Sequence, residues 1–134
     1  MEYIDMHSHI LPGMDDGSKN MDMTLAMLRV AEEEGISTIY TTPHCMPGKG
    51  RPTLAKVEEK IRLVQEMAAN EGIHITLKKG TEYYYIEEMS EWMEEGKIIT
   101  LGDSNCVLVE FEPYAEENYI RNAAREILGF GYQP

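Results

Sequence analysis

The chain has 134 residues, 43% of them hydrophobic, which is enough to bury one core. Twelve basic residues stand against 24 acidic ones, and a net charge of −12 argues against nucleic acid and anionic lipid as partners. No apolar run reaches the roughly 18 residues of a membrane span, and residues 1–10 lack the basic and apolar regions of a secretory signal. Cys45 and Cys106 form neither a disulfide framework nor a Cys-x-x-Cys zinc site. These absences predict a cytoplasmic protein without direct membrane insertion.

Strand and helix patterns then alternate along the chain. A first strand over Tyr3–His7 leads through the loop Leu11–Ser18 to a helix over Asn20–Glu34, whose apolar stripe is Leu25, Met27, Leu28 and Ala31. Gly35 ends that helix, as a residue free to take positive φ does. The β-branched run Ile36–Thr42 is a second strand, followed by the Gly/Pro-rich loop Pro43–Pro52. Thr53 caps a second helix running to Asn70, with Val57, Ile61, Val64 and Met67 on one face. A third strand over Ile73–Leu77 reaches Gly80-Thr81-Glu82. Tyr83–Glu95 reads as a loop and a short helix, Ile98–Leu101 as an ancillary strand or turn, and Cys106–Phe111 as a fourth strand. A helix over Glu116–Leu128 follows, and Gly129–Pro134 has the character of a turn into a fifth strand. The alternation predicts an α/β fold of about four βα units with parallel strands.

Each strand ends in residues suited to metal ions. His7 and His9 lie two apart on an extended segment and so face the same side. Asp15-Asp16-Gly17 alone is an ordinary turn, yet it follows His9 closely. His44 sits at the second strand's end, where a capping or packing histidine is equally natural. Glu82 and Glu110 are more telling, because a carboxylate in or beside an apolar strand is costly to bury without a positive partner. In parallel βα folds the carboxyl ends of the strands converge on one face. His7, His9, Asp16, His44, Glu82 and Glu110 thus supply three imidazoles and three carboxylates, a set suited to Mn, Fe or Zn. His74 has no companion and reads as structural, while Glu32–Glu34, Glu87-Glu88 and Glu94-Glu95 read as solvated surface.

The pattern Ile4–Gly13 with Asp15-Asp16-Gly17, then Thr42-Pro43-His44, Gly80-Thr81-Glu82 and Leu108-Val109-Glu110-Phe111, resembles the PHP (polymerase and histidinol phosphatase) superfamily. Within it the pattern is most similar to the manganese-dependent protein-tyrosine phosphatases of bacterial capsule and exopolysaccharide gene clusters. The resemblance implies the N-terminal part of a distorted (β/α) barrel holding up to three divalent metal ions, Mn first and Fe or Zn as alternatives. It implies hydrolysis of phosphotyrosine on the tail of a partner bacterial tyrosine kinase that regulates polysaccharide synthesis. His7, His9, Asp16, His44, Glu82 and Glu110 fall on the family's metal ligands, Glu110 as the bridging carboxylate and Asp15 as a supporting or turn residue. The attacking group would be a water activated by the bound cations, with no protein nucleophile. Lys49 and Arg51 are the basic residues placed to orient the phosphate. The family's later His-Pro-Glu-Arg and Asp-x-His elements have no counterpart, so residues 1–134 read as a single truncated domain. An open half-barrel would self-associate through its sheet edges or derive from a longer protein.

Three other readings compete. A histidinol-phosphatase-like enzyme shares the metal logic and differs in its pocket. A non-catalytic metal-binding fragment shares the ligands without turnover. The third is a thiol mechanism, since His44-Cys45 and Arg51 also match the His-Cys-x5-Arg pattern of cysteine-dependent tyrosine phosphatases. That pattern covers eight residues and leaves the His-x-His pair and both strand-end glutamates without a purpose. Tyr83-Tyr84-Tyr85 beside Glu82 suggests substrate stacking, with core or loop packing the stronger reading.

Overall fold

The computed structural model describes residues 2–134. In chain order the elements are β1 (Tyr3–Ser8), α1 (Met21–Glu33), β2 (Ile36–Thr41), β3 (His44–Cys45), α2 (Leu54–Asn70), β4 (Thr76–Lys79), β5 (Glu82–Tyr84), α3 (Met89–Glu94), β6 (Leu108–Glu110) and α4 (Glu117–Gly129). All strand pairs are parallel, as the alternation predicts, in two three-stranded sheets ordered β1-β2-β4 and β3-β5-β6.

The division into two sheets has a local cause. β2 stops at Thr42-Pro43 and resumes as β3, and β4 stops at Gly80-Thr81 and resumes as β5. Pro43 has no N–H to give to a ladder. Gly80 lies so close to β2 that a Cβ would stand 3.0 Å from the Thr41 carbonyl and 2.7 Å from Leu101. Across the break, the Glu82 N–H donates to the Pro43 carbonyl at 3.0 Å. Followed through these interruptions, the strands run β1, β2/β3, β4/β5, β6 side by side in chain order, the order of a (β/α) barrel wall.

Each sheet has its own core. α1 and α2 cover the first sheet through Leu25, Leu28, Val57, Val64 and Ala68, packed with Ile39, Ile75 and Leu77. α3 and α4 cover the second through Met89, Met93, Ala123 and Ile127, packed with Cys45, Tyr83, Tyr85 and Val107. Helix starts match the sequence: Asn20 Oδ1 accepts from Met23 N–H at 2.9 Å, and Thr53 Oγ1 from Lys56 N–H at 3.2 Å.

Several boundaries differ from the sequence reading. The Pro43–Pro52 loop opens with β3, and the Tyr83–Glu95 segment opens with β5. The third strand begins at Thr76, with Ile73 and Ile75 buried just before it. Ile98–Leu101 forms no strand. Its Ile99 N–H donates to the buried Tyr83 hydroxyl at 2.9 Å, and Leu101 N–H to the Cys106 carbonyl at 2.9 Å. The expected turn after α4 brings Gln133 beside the second sheet, where it bridges Cys106 in parallel and accepts from Val107 N–H at 2.8 Å.

Candidate metal centre

The carboxyl ends of β1, β2/β3, β4/β5 and β6 carry His7, His9, His44, Glu82 and Glu110 to one place, with Asp16 reaching it from the loop after β1. Three overlapping sets form: His7-His9-Glu82, His9-Asp16-His44 and His44-Glu82-Glu110, each with one donor atom per residue within 4.8 Å of the others. All six residues singled out from the sequence are therefore brought together. Glu82, 6% exposed, is at the centre. Its Oε2 lies 3.1 Å from His7 Nε2, 3.1 Å from His9 Nε2 and 3.1 Å from His44 Nδ1. Glu110 Oε2, the bridging carboxylate that the resemblance implies, lies further out, 3.7 Å from His44 Nδ1.

The donors fit a divalent cation. Glu82 Oε2, Glu110 Oε2 and His44 Nδ1 are buried and make no hydrogen bond, a state that costs free energy unless something positive sits among them. With metal–donor bonds of about 2.1 Å, donors at right angles stand about 3.0 Å apart. The edges of the first set are 3.2 Å between the two imidazole nitrogens and 3.1 Å from each to Glu82. Three such edges would admit one cation among the donors. A neutral imidazole has a single lone pair, so His9 and His44 can each serve only one of their two sets. A carboxylate has lone pairs for two cations, and Glu82 can bridge. Complete three-donor sets therefore exist for two cations, His7-His9-Glu82 and His44-Glu82-Glu110, while the set containing Asp16 borrows imidazoles from both.

Asp15 decides which nitrogen His9 presents. Its carboxylate accepts from His9 Nδ1 at 2.8 Å, from His44 N–H at 3.0 Å and from Gly17 N–H at 2.9 Å. Burial alone would raise the Asp15 pKa, but the His9 hydrogen bond and the two backbone N–H groups outweigh it and hold the carboxyl below its ordinary value. An ionised carboxylate only accepts, so the His9 proton stays on Nδ1 and the Nε2 lone pair faces Glu82. The loop reaches this position because Gly17 has no side chain: a Cβ there would stand 2.2 Å from the His9 carbonyl oxygen. Thr42 steadies the other side, its Oγ1 accepting from Ser8 N–H at 2.9 Å.

The chain matches, over residues 3–134, the family model described as capsular polysaccharide synthesis, CpsB/CapC. It belongs to the CpsB/CapC family. Among curated proteins it is 32% identical over 131 residues to the tyrosine-protein phosphatase CpsB of Streptococcus pneumoniae, covering 98% of this chain and 54% of that protein. It is 32% identical to the tyrosine-protein phosphatase YwqE of Bacillus subtilis, covering 98% and 52%. A solved structure from work on YwqE and CpsB, described as unique metal-dependent tyrosine phosphatases, superposes with a TM-score of 0.88 at 29% identity, covering 97% of this chain and 53% of the other. The chain thus spans about half the length of the relatives it matches.

In this CpsB/CapC chain the other residues proposed from the sequence sort by position. Lys49 lines a cavity of about 280 Å³ with Asp15, Asp16 and His44. Arg51 lines a neighbouring cavity of about 310 Å³ with His44 and Lys49, while its guanidinium lies 4.5 Å from the Trp92 ring centroid and donates to the Lys97 carbonyl at 3.3 Å. Cys45 is buried in the second core, and burial pushes its thiol pKa up in spite of the nearby Arg51. A cysteine nucleophile needs an accessible thiolate, so the thiol reading loses its central residue. Tyr83 is fully buried, its phenol pushed up to about 12 chiefly by that burial, and Tyr85 is buried beside it, as the packing reading expects. Tyr84 differs from the packing reading, being half-buried in an aromatic recess. The signal was available, since Tyr84 shares the strand face of Glu82 two residues away.

Proposed function

We propose that this chain provides the cation-binding part of a phosphomonoester hydrolase acting on protein phosphotyrosine. The observation that carries the reading is the buried, unpartnered set Glu82 Oε2, His44 Nδ1 and Glu110 Oε2, continuous with the His7-His9-Glu82 face. The names and metal dependence of CpsB and YwqE support it. His7, His9 and Glu82 would hold one divalent cation, and His44, Glu82 and Glu110 a second, with Asp16 a further ligand beside them. Nitrogen and carboxylate donors without thiolate favour Mn, with Fe or Zn as alternatives. Bound there, divalent cations neutralise phosphate oxygens and lower the pKa of a water.

The chain's own groups do the rest. Asp15 keeps the His9 lone pair turned toward the centre, and Lys49, beside His44 and Asp16, attracts and orients the anionic phosphate. The substrate in this reading is the phosphorylated tail of a bacterial tyrosine kinase in capsule or exopolysaccharide synthesis, in the cytoplasm. The reading includes self-association along β1, which has one strand neighbour among the described residues and exposes Tyr3, Ile4 and Met6. Sedimentation over a concentration series reads this last point, and a monomer throughout removes it.

The test is cation stoichiometry joined to substrate choice. Metal analysis after Mn loading is expected to give two ions per chain, falling to one or none in the double variant His7→Ala, His9→Ala. An unchanged ratio in that variant refutes the ligand assignment. A phosphotyrosine peptide is expected to be hydrolysed in preference to histidinol phosphate, and the reverse order favours a small-molecule phosphatase. Normal Mn loading without hydrolysis of either substrate leaves a metal-binding unit without turnover.

A further inference from the structure

β5 and β6 lead from the cation ligands straight into a recess of about 250 Å³. Tyr84 stands two residues beyond Glu82 and pairs in register with Glu110, and Phe111 directly follows Glu110. The recess is closed by Tyr85, Glu112, Ala115 and Tyr119. Three rings form a triangle: Tyr85 and Phe111 are 5.6 Å apart, Tyr85 and Tyr119 5.6 Å at 74°, and Phe111 and Tyr119 6.1 Å at 85°. The size is below that of sites for whole small molecules and suits one side chain.

We infer that this recess is a subsite for a lysine or arginine side chain flanking the phosphotyrosine of a bound peptide. The inference rests on the phosphotyrosine reading given above. Tyr85 and Phe111 are tilted by 34° and Tyr119 stands steeply to both; a cation seated over a ring face is attracted by the ring quadrupole. Glu112 adds a carboxylate at the mouth, exposed and without a salt-bridge partner among the described residues. A neutral apolar side chain would fill the rings and leave the Glu112 carboxylate with the Tyr84 hydroxyl alone, and an acidic one would be repelled by it. The excess of acidic residues elsewhere on the chain adds to the attraction of a basic flank. Phosphate is drawn to the cations and the basic side chain to the adjacent rings, which gives the peptide a direction across the site.

The experiment uses the Mn-loaded chain and short fluorescein-labelled phosphotyrosine peptides that differ at one flanking residue, Lys, Ala or Glu, with Kd read by anisotropy. A second arm titrates Nα-acetyl-lysine methylamide, which carries no phosphate, into the ¹⁵N-labelled chain. The Lys peptide is expected to bind about tenfold more tightly than the Ala peptide. Glu112→Gln and Tyr119→Leu are each expected to reduce that advantage, leaving Ala-peptide binding unchanged. Acetyl-lysine methylamide should shift amides of residues 84–85 and 111–119. Equal affinity for Lys and Ala peptides, or a lysine advantage that survives both substitutions, overturns the subsite while the phosphotyrosine reading stands. If no phosphopeptide binds but the acetyl-lysine shifts appear in those segments, the subsite stands and the phosphotyrosine reading falls. Absence of both overturns the subsite.

Discussion

Asp15 and Cys45 show how a single side chain's surroundings set its chemistry. With its pKa held down by the His9, Gly17 and His44 donors, Asp15 contributes stability that is present above the unfolded-state value near 4 and lost as pH falls through the lower folded value. Asp15→Asn is therefore expected to lower the melting temperature at pH 7, and the gap from the unsubstituted chain should close as pH is taken below about 4. Thermal melts over that range check it. An Asn amide can also turn its NH2 toward His9 Nδ1 and release the wrong tautomer, so Mn affinity should fall by about 10–100-fold, read by calorimetry. Cys45 makes the opposite case. A buried thiol with a raised pKa reacts slowly, so a thiol reagent at pH 7 should label the half-buried Cys106 well before Cys45, as peptide mapping by mass spectrometry would show.

The strands and loops explain what could be read from the sequence. The bounds of helix α2 were legible almost to the residue, because Thr53 caps it and Val57 and Val64 repeat at helical spacing, but its inner face ends in Ala68 and the expected Met67 is exposed. All six candidate ligands were legible because they sit at strand ends, where parallel folds gather side chains. The strand interruptions were not. Pro43 and Gly80 read locally as loop starters, and only the pairing of β3 with β5 turns the residues after them into strand. Nor does sequence order tell Glu82 from Glu110 as the central carboxylate, since that depends on how far the wall curves. The loop after β1 is set by contact: Gly17→Ala places a methyl against the His9 backbone, which cannot step aside. A loss of about 1–3 kcal/mol is expected from chemical denaturation, together with weaker Mn binding, because Asp15 moves with the loop.

At the scale of the whole molecule the excess of acid over base makes cations a source of stability. At a free Mn concentration about 100 times the Kd, linkage predicts about 2.7 kcal/mol of added stability, a rise of about 10 °C in melting temperature for a chain of this size. Chelator should reverse it, as scanning calorimetry would register. The two separate cores give that stabilisation a further meaning. His7 and His9 belong to the end of β1, over the α1/α2 core, whereas His44, Glu82 and Glu110 belong to the sheet over the α3/α4 core. Between the sheets run the breaks at Thr42-Pro43 and Gly80-Thr81, where backbone ladders are interrupted. A cation on His7-His9-Glu82 would span that seam, adding to the Ile99–Tyr83 hydrogen bond that already joins the two cores. Loaded chain should melt as one calorimetric unit, and stripped chain should separate into two overlapping transitions, the second sheet's residues exchanging their amide hydrogens on a different schedule from the first's. The ions would then determine, beyond any chemistry at the centre, whether the polypeptide unfolds as one body or as two.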